Sequence, residues 1–389
     1  MFPIGAAATL AELETDPHAL LARLRASEPV SWVPVLEGWL VTRRDLALQV
    51  MRDPDTFTVD DERFSTGRVV GPSMLTLDGP AHGRHREPFA RPFRLDAVRE
   101  RFRAPVTAEV DRLLGAIAPA GEVELRRELA GPLAAAVVTH ALGLEEAGTD
   151  EVLGWYEAIV TSVTEITAGH GPTEAGARGY AALRDAMAPA LARAPASSLL
   201  AAAAGDAGGL SADEVMSNAA VLLFGGIETT EGMIANAIAH LLAHPAGLAA
   251  VQTEPSLLAN AIEESLRLEP AAAVIDRYST RATTLGGAQI GERELVIVSI
   301  AGANRDPDVF PDPDRFDVRR PNAKLHAAFA GGPHVCIGMH LARLEAQAAV
   351  AGALERLPGL ELAGDPAPRG LVFRKPDALR VRWTPAPVG

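Results

Sequence analysis

Between Ser211 and Pro245 the chain runs without a single proline, and apolar residues recur along that whole stretch. Ser211 and Glu214 form an S-x-x-E capping box, in which each side chain satisfies a backbone N–H at the helix start. Pro245 stops the run, because proline lacks an N–H and clashes with the preceding turn. At 1.5 Å per residue this predicts a helix of about 50 Å, long enough to cross an entire domain. A chain built round such a helix must bury it on most sides. Most of the other patterns along the chain are helical as well and the strand patterns are few and short, so the chain reads as mainly α with a small β region.

The flanking sequence agrees. Trp32 to Thr42 alternates like a short hairpin with Glu37-Gly38 at its turn, and Asp53-Pro54 and Gly79-Pro80 break the pattern again. Residues 195–210 are rich in Ala, Gly and Ser and read as a loop between helices. A helix is expected from Ser256 to Leu268 ahead of Pro270, then strands from Tyr278 to Ser299 joined by Gly286-Gly287. Ala303 to Leu325 reads as ordered coil. A last helix starts near Gly338 and ends before Pro358, and a strand pattern follows from Leu379 to Trp383. The β-rich regions thus fall near 30–45, 278–300 and 371–383. Length alone would allow two or three domains, but no linker interrupts the 389 residues, so one domain spanning 1–389 is expected.

Composition narrows the function. A net charge of −14 argues against a general nucleic-acid binder. The most apolar runs, Leu133 to Leu144 and Ala219 to Gly226, are shorter than the roughly 20 residues a membrane span needs. Met1 to Leu10 lacks the basic start of a signal peptide, which predicts a cytoplasmic protein. Cys336 is the only cysteine, so an intrachain disulfide or a multi-thiolate zinc site is impossible. A lone cysteine is usually a small buried hydrophobe. Its neighbours here say otherwise.

The segment reads Phe329-Ala330-Gly331-Gly332-Pro333-His334-Val335-Cys336-Ile337-Gly338. Glycines and proline make a tight turn, and a helix opens just after the cysteine, where free N–H groups and the helix field favour a thiolate. Gly338 leaves room for a flat ligand against the backbone. A cysteine nucleophile with His334 as its base is disfavoured, since residues two apart in an extended turn point differently. In the long helix, Phe224-Gly225-Gly226-Ile227-Glu228-Thr229-Thr230 places two glycines at a cost of about 1 kcal/mol each. Either a neighbouring helix or a bulky ligand must approach the backbone there. An acid followed by two hydroxyls is suited to carry protons.

Both segments resemble the cytochrome P450 family of the soluble bacterial type. The family's loop, F-G-x-G-x-H-x-C-x-G, is matched at Phe329, Gly332, His334, Cys336 and Gly338, with Ala330 standing where glycine is usual. Its oxygen-side helix carries A/G-G-x-D/E-T-T. The resemblance implies a single triangular haem-enclosing domain, likewise mainly α with a small β region, with haem b between the long helix and the cysteine loop. It implies that Cys336 is the axial iron ligand, with Phe329 and Gly338 against the haem. It further implies that Thr229 hydrogen-bonds iron-bound dioxygen and that Glu228 belongs to the proton path.

Met74 to Arg86 and Arg277 resemble the family's haem-flanking segments. That resemblance assigns His82, Arg86, Arg277 and His334 to the propionates. Glu264-Ser265-Leu266-Arg267 and Arg315 resemble the family's acid and two arginines that lock the core behind the loop. Val221, Phe224, Gly225, Ala273 and Val274 fall at positions bordering a substrate pocket, apolar enough for a hydrophobic organic molecule, with Asp276 and Arg374 as possible polar contacts. No flavin or nicotinamide segment is present, so a ferredoxin and its reductase are the expected electron donors. Between His82 and Arg103 seven arginines face Glu87, Asp96 and Glu100, a local balance of +4 that could steer such a donor. The activity implied is insertion of one oxygen atom of O2 into that substrate. A peroxide-driven peroxygenase, or a haem sensor or carrier without turnover, is the alternative; the Glu228–Thr229 pair speaks against both.

Overall fold

The computed structural model describes residues 2–144, 146–167, 170–193 and 209–385. The long helix spans Ala212–Ala243, with both halves of the capping box formed: the Glu214 N–H donates to Ser211 Oγ and the Ser211 N–H to Glu214 Oε2. Its side chains are buried on nearly every face from Val215 to Leu241, which explains why it is apolar all round rather than along one stripe. It packs against the helices Gly131–Leu142, Leu258–Leu268 and Met339–Arg356. Helix Met339–Arg356 in turn packs on helix Leu95–Ile117. The two apolar runs, Leu133 to Leu144 and Ala219 to Gly226, lie in this helical core. Among the described residues no single helix is long and apolar enough to cross a membrane.

A second core covers a five-stranded sheet in the order Val30–Val33, Gly38–Val41, Leu295–Ser299, Val274–Ser279, Phe57–Thr58. All neighbours are antiparallel except Gly38–Val41 with Leu295–Ser299, which run parallel. The first hairpin differs from the two-residue turn expected at Glu37-Gly38. A 3-10 turn over Pro34–Leu36 leads into Glu37, whose φ of 48° makes the reversal, and Gly38 is already strand. Gly286-Gly287 does form the tight turn between Thr283–Leu285 and Ala288–Ile290, with both residues at positive φ as such hairpins demand.

The helix expected from Ser256 opens with a 3-10 turn at Pro255–Leu257 and becomes α at Leu258. The coil expected from Ala303 begins one residue later, since Ala303 closes the short helix Ile300–Ala303; residues 304–322 are turns, bends and coil, followed by a short 3-10 turn, Ala323–Leu325. Near the C-terminus, Pro368–Arg369 pairs with Lys375–Pro376, while Arg380–Arg382 sits between Glu122–Glu124 and Glu361–Leu362. Of the loop expected over 195–210, residues 195–208 lie outside the described residues.

Candidate active site

The cysteine loop is shaped by its packing on helix Arg44–Arg52. Gly332 has φ +69°, and a Cβ there would lie 2.3 Å from the Met51 carbonyl oxygen, so only glycine fits. Ala330 also adopts a left-handed φ of 58°, which accounts for glycine being usual at this place and costs about 1 kcal/mol for alanine. Pro333 then starts a 3-10 turn, Gly332–His334, and the Cys336 N–H donates to the Phe329 carbonyl at 2.9 Å, closing the loop.

Cys336 is enclosed closely enough that desolvation pushes its thiol up, yet its side chain stays accessible. The backbone N–H groups of Gly338 and Met339, at the start of helix Met339–Arg356, point at the sulfur, and the Arg86 and Arg343 guanidiniums lie near it. All four favour the thiolate against burial.

Beside the loop the four basic side chains picked from the sequence converge. His334 Nε2 lies 2.7 Å from Asp78 Oδ1, and the His82 and His334 rings are 4.4 Å apart. Arg86 donates to the Val335 carbonyl at 2.6 Å, and buried Arg277 feels the charge of Asp78. Burial, with His334 and Arg86 nearby, lowers His82 to about 4. Asp78 also accepts from Thr58 Oγ1 and the Val59 N–H; despite burial these bonds hold its carboxyl down at about 2. Asp78 was not singled out in the sequence, where it reads as an ordinary residue before a helix.

Two observations bear on whether haem fits. His82 Nε2 is buried without a hydrogen-bond partner amid this excess of positive charge, which suits a carboxylate-bearing group. Added Cβ atoms at Gly225 and Gly338 would meet nothing within 4 Å, so both backbones can be approached by a flat ligand. The residues present fit the group.

The two helix glycines divide the alternatives between them. A Cβ at Gly226 would come within 3.3 Å of Val138, so this glycine serves helix packing, whereas Gly225 faces open space. Thr229 Oγ1 donates to the Gly225 carbonyl at 2.6 Å. Glu228 is buried, its carboxyl raised by desolvation, and it meets Lys375 Nζ at 2.8 Å. Val221 and Phe224 lie in the main core, with Phe224 edge-on to Phe373 at 5.7 Å between centroids. Ala273 and Val274 pack elsewhere, in the cluster formed with N-terminal Leu13, Leu21 and Leu40. Arg374 does not offer a polar contact to a pocket: its guanidinium is buried against Glu269 at 2.6 Å and on backbone carbonyls. Asp276 is raised to about 6 by desolvation, partly opposed by Arg277.

The expected lock behind the loop forms with one member exchanged. Arg267, fully buried, makes a two-pronged pair with Glu264 at 2.7 and 2.9 Å. The second guanidinium on Glu264 belongs to Arg320, at 2.9 Å, not to Arg315. The Arg315 side chain is exposed; only its carbonyl takes part, accepting from both Arg267 and Arg320. The coil turns after Phe316, which sends residue 320 inward and 315 out. Neighbouring Glu263 ties both ends of the cysteine segment, accepting from Arg343 at 2.6 and 2.8 Å and pairing with His326 at 3.1 Å. Arg343 also lies over the Phe329 ring, 4.4 Å from its centroid.

A family model described as Cytochrome P450 matches residues 190–358. Over 375 residues the chain is 37% identical to cytochrome P450 107B1 of Saccharopolyspora erythraea, covering 90% of each. It is 36% identical over 391 residues to the cytochrome P450 monooxygenase PikC of Streptomyces venezuelae, covering 96% of this chain and 92% of that protein. The solved structure of CalO2 matches with a TM-score of 0.87 at 31% identity, over 95% of this chain and 96% of that one. With such likeness along nearly its whole length, the chain belongs to the cytochrome P450 family, whose members are haem-binding monooxygenases of organic substrates.

Proposed function

We propose that Cys336 supplies the axial thiolate of this monooxygenase, that His82, Arg86, Arg277 and His334 hold the haem propionates, and that Glu228 and Thr229 manage protons on the opposite face. The observation that carries this reading is the sulfur at the foot of helix Met339–Arg356, faced by two backbone N–H groups and two guanidiniums. Bound haem supplies the iron chemistry that splits dioxygen and inserts one atom into a hydrophobic organic substrate. The protein's part is to keep the sulfur ionised, to neutralise the propionates and to meter protons. The Phe224–Phe373 pair and Val221 give the substrate side an apolar wall.

Thr229 is best placed to pass a proton, because its hydroxyl can rotate from the Gly225 carbonyl toward a ligand on the open side of Gly225. Thr229→Ala is expected to leave electron consumption within about twofold of wild type while most of those electrons end in hydrogen peroxide rather than product. Product formed per NAD(P)H consumed, with peroxide measured alongside, decides it; unchanged coupling removes the role.

Electrons come from a ferredoxin-type donor. Arg91 and Arg94 are exposed just before helix Leu95–Ile117, as is Leu95 at its start, and Arg99 of that helix lies near His340, four residues past the cysteine. The basic surface therefore adjoins the cysteine loop, on a chain whose overall charge would repel an acidic donor. Reversing Arg91 and Arg94 to glutamate is expected to slow reduction by ferredoxin about tenfold at low salt, with the difference shrinking as salt screens the surface. Stopped-flow reduction across a salt series measures it; equal rates at every salt would place docking elsewhere.

A further inference from the structure

Glu228 does not face a partnerless interior. One turn along the same helix face lies Glu231, and Lys375 enters between them, 2.8 Å from Glu228 Oε1 and 2.6 Å from Glu231 Oε2. Glu231 Oε1 accepts from Arg126 Nε at 2.9 Å, and Arg126 is pinned by the carbonyls of Pro376 and Asp377. The two acids are the more buried members, 5% exposed at the Glu228 side chain and 8% at Glu231, and the two cations the more open, 15% at Lys375 and 18% at Arg126, so the Arg126 end is the most exposed.

Several features hold the arrangement in place. Arg126 opens a π-helical turn, Arg126–Ala130, a rare geometry often found at functional sites. Gly232 is the close approach that admits the Lys375 segment: a Cβ there would meet Ala271 at 2.9 Å and Lys375 at 3.6 Å. The neighbouring Arg374 is anchored on Glu269 and on the carbonyls of Gly370 and Pro368. The choice of lysine is itself informative. Of 36 lysines and arginines in the chain only Lys324 and Lys375 are lysines. An arginine would pair the two acids equally well but cannot release its proton, whereas a partly buried lysine can.

We infer that Lys375 is a proton relay, passing protons from the Glu231 end of this cluster to Glu228. The inference rests on the reading of Glu228 as a proton donor to the haem side. In each transfer the Lys375 ammonium gives one proton to the Glu228 carboxylate, leaving a neutral amine and a neutral acid. Glu231, protonated from solvent at the Arg126 end, then returns one proton to the amine and is left ionised. The groups facing Glu228 are Lys375, Glu231 and Arg126, and burial raises its carboxyl against the pull of the two cations. Loss of Lys375 therefore moves Glu228 further up, keeping it neutral to higher pH.

The test uses the holoenzyme and three variants, each first shown to bind haem as wild type does. Infrared titration follows the acid carbonyl stretch assigned to Glu228 by its loss in Glu228→Gln. Lys375→Met should shift that titration to higher pH, while Lys375→Arg should leave it near wild type. Lys375→Arg should nonetheless lower oxygenation about a hundredfold, the low end of what a placed proton donor contributes, and enlarge the solvent deuterium isotope effect. If Lys375→Arg matches wild type in rate and isotope effect, Lys375 is a counter-ion alone and the relay is overturned. If Glu228→Gln itself leaves coupling and isotope effect unchanged, the reading of Glu228 fails, and the relay with it.

Discussion

Replacing Cys336 with serine is expected to abolish the strongly red-shifted Soret band that a thiolate–CO complex shows after dithionite reduction, and to cut monooxygenation below about one-thousandth, about 4 kcal/mol of barrier. The loop should survive the change. Its closure depends on the Cys336 N–H to the Phe329 carbonyl, on Gly332 and on Pro333, none of which the side-chain swap touches. What is lost is the anionic sulfur. A serine hydroxyl has far too high a pKa to ionise beside Gly338 and Met339, so it cannot push electron density toward iron. Retention of the red-shifted band in Cys336→Ser would mean that another group ligates the iron. A wild-type protein that takes up no haem after haem-supplemented expression would remove the whole reading.

The second large effect separates Arg320 from Arg315. Arg320→Ala is expected to destabilise the protein by about 3 kcal/mol, because it removes one of two guanidiniums from a fully buried carboxylate and takes from the Pro311 carbonyl its side-chain donor, while the Asp312 carbonyl keeps the Arg315 N–H. With an unfolding entropy near 2.1 cal/mol/K per residue, that is a drop of about 4 °C in the unfolding midpoint of a chain this long. Arg315→Ala, whose side chain is exposed and whose carbonyl remains, should fall within about 0.5 kcal/mol of wild type. Thermal unfolding of both variants, followed by circular dichroism and by loss of the Soret band, gives the comparison. Equal destabilisation by the two would contradict the assignment of the lock to Arg320.

That exchange marks where sequence stops being legible. The long helix, its capping box and its proline stop could be read because each depends on residues within a turn or two of one another. The cysteine loop could be read for the same reason: its glycines, proline and cysteine form one local turn. Arg315 and Arg320 lie in irregular coil, with no period to say which side chain points inward. Only the path of the turns after Phe316 decides it, and nothing local encodes that path. Glu263 and Glu264 are a similar case. Adjacent on one helix, they diverge by about 100° and serve different partners, Arg343 and His326 for one, Arg267 and Arg320 for the other. Lys375 was visible only as a compositional oddity, because its acids come from a helix more than a hundred residues away. Gly225 and Gly226 looked alike in sequence; their neighbours gave one to packing and left the other facing open space.

The parallel pairing of Gly38–Val41 with Leu295–Ser299 has a consequence for how the molecule is made. A strand near the beginning of the chain stays without this neighbour until roughly three-quarters of the polypeptide has left the ribosome. Closing so long a loop is entropically slow, and contacts of this sequence separation delay folding. The helix Arg44–Arg52, which follows directly from that early strand, is the surface against which Gly332 seats the cysteine loop. Sheet completion and maturation of the thiolate pocket therefore belong to the same late stage of biogenesis. Until then the early segment presents an unpaired, apolar strand edge to the cell.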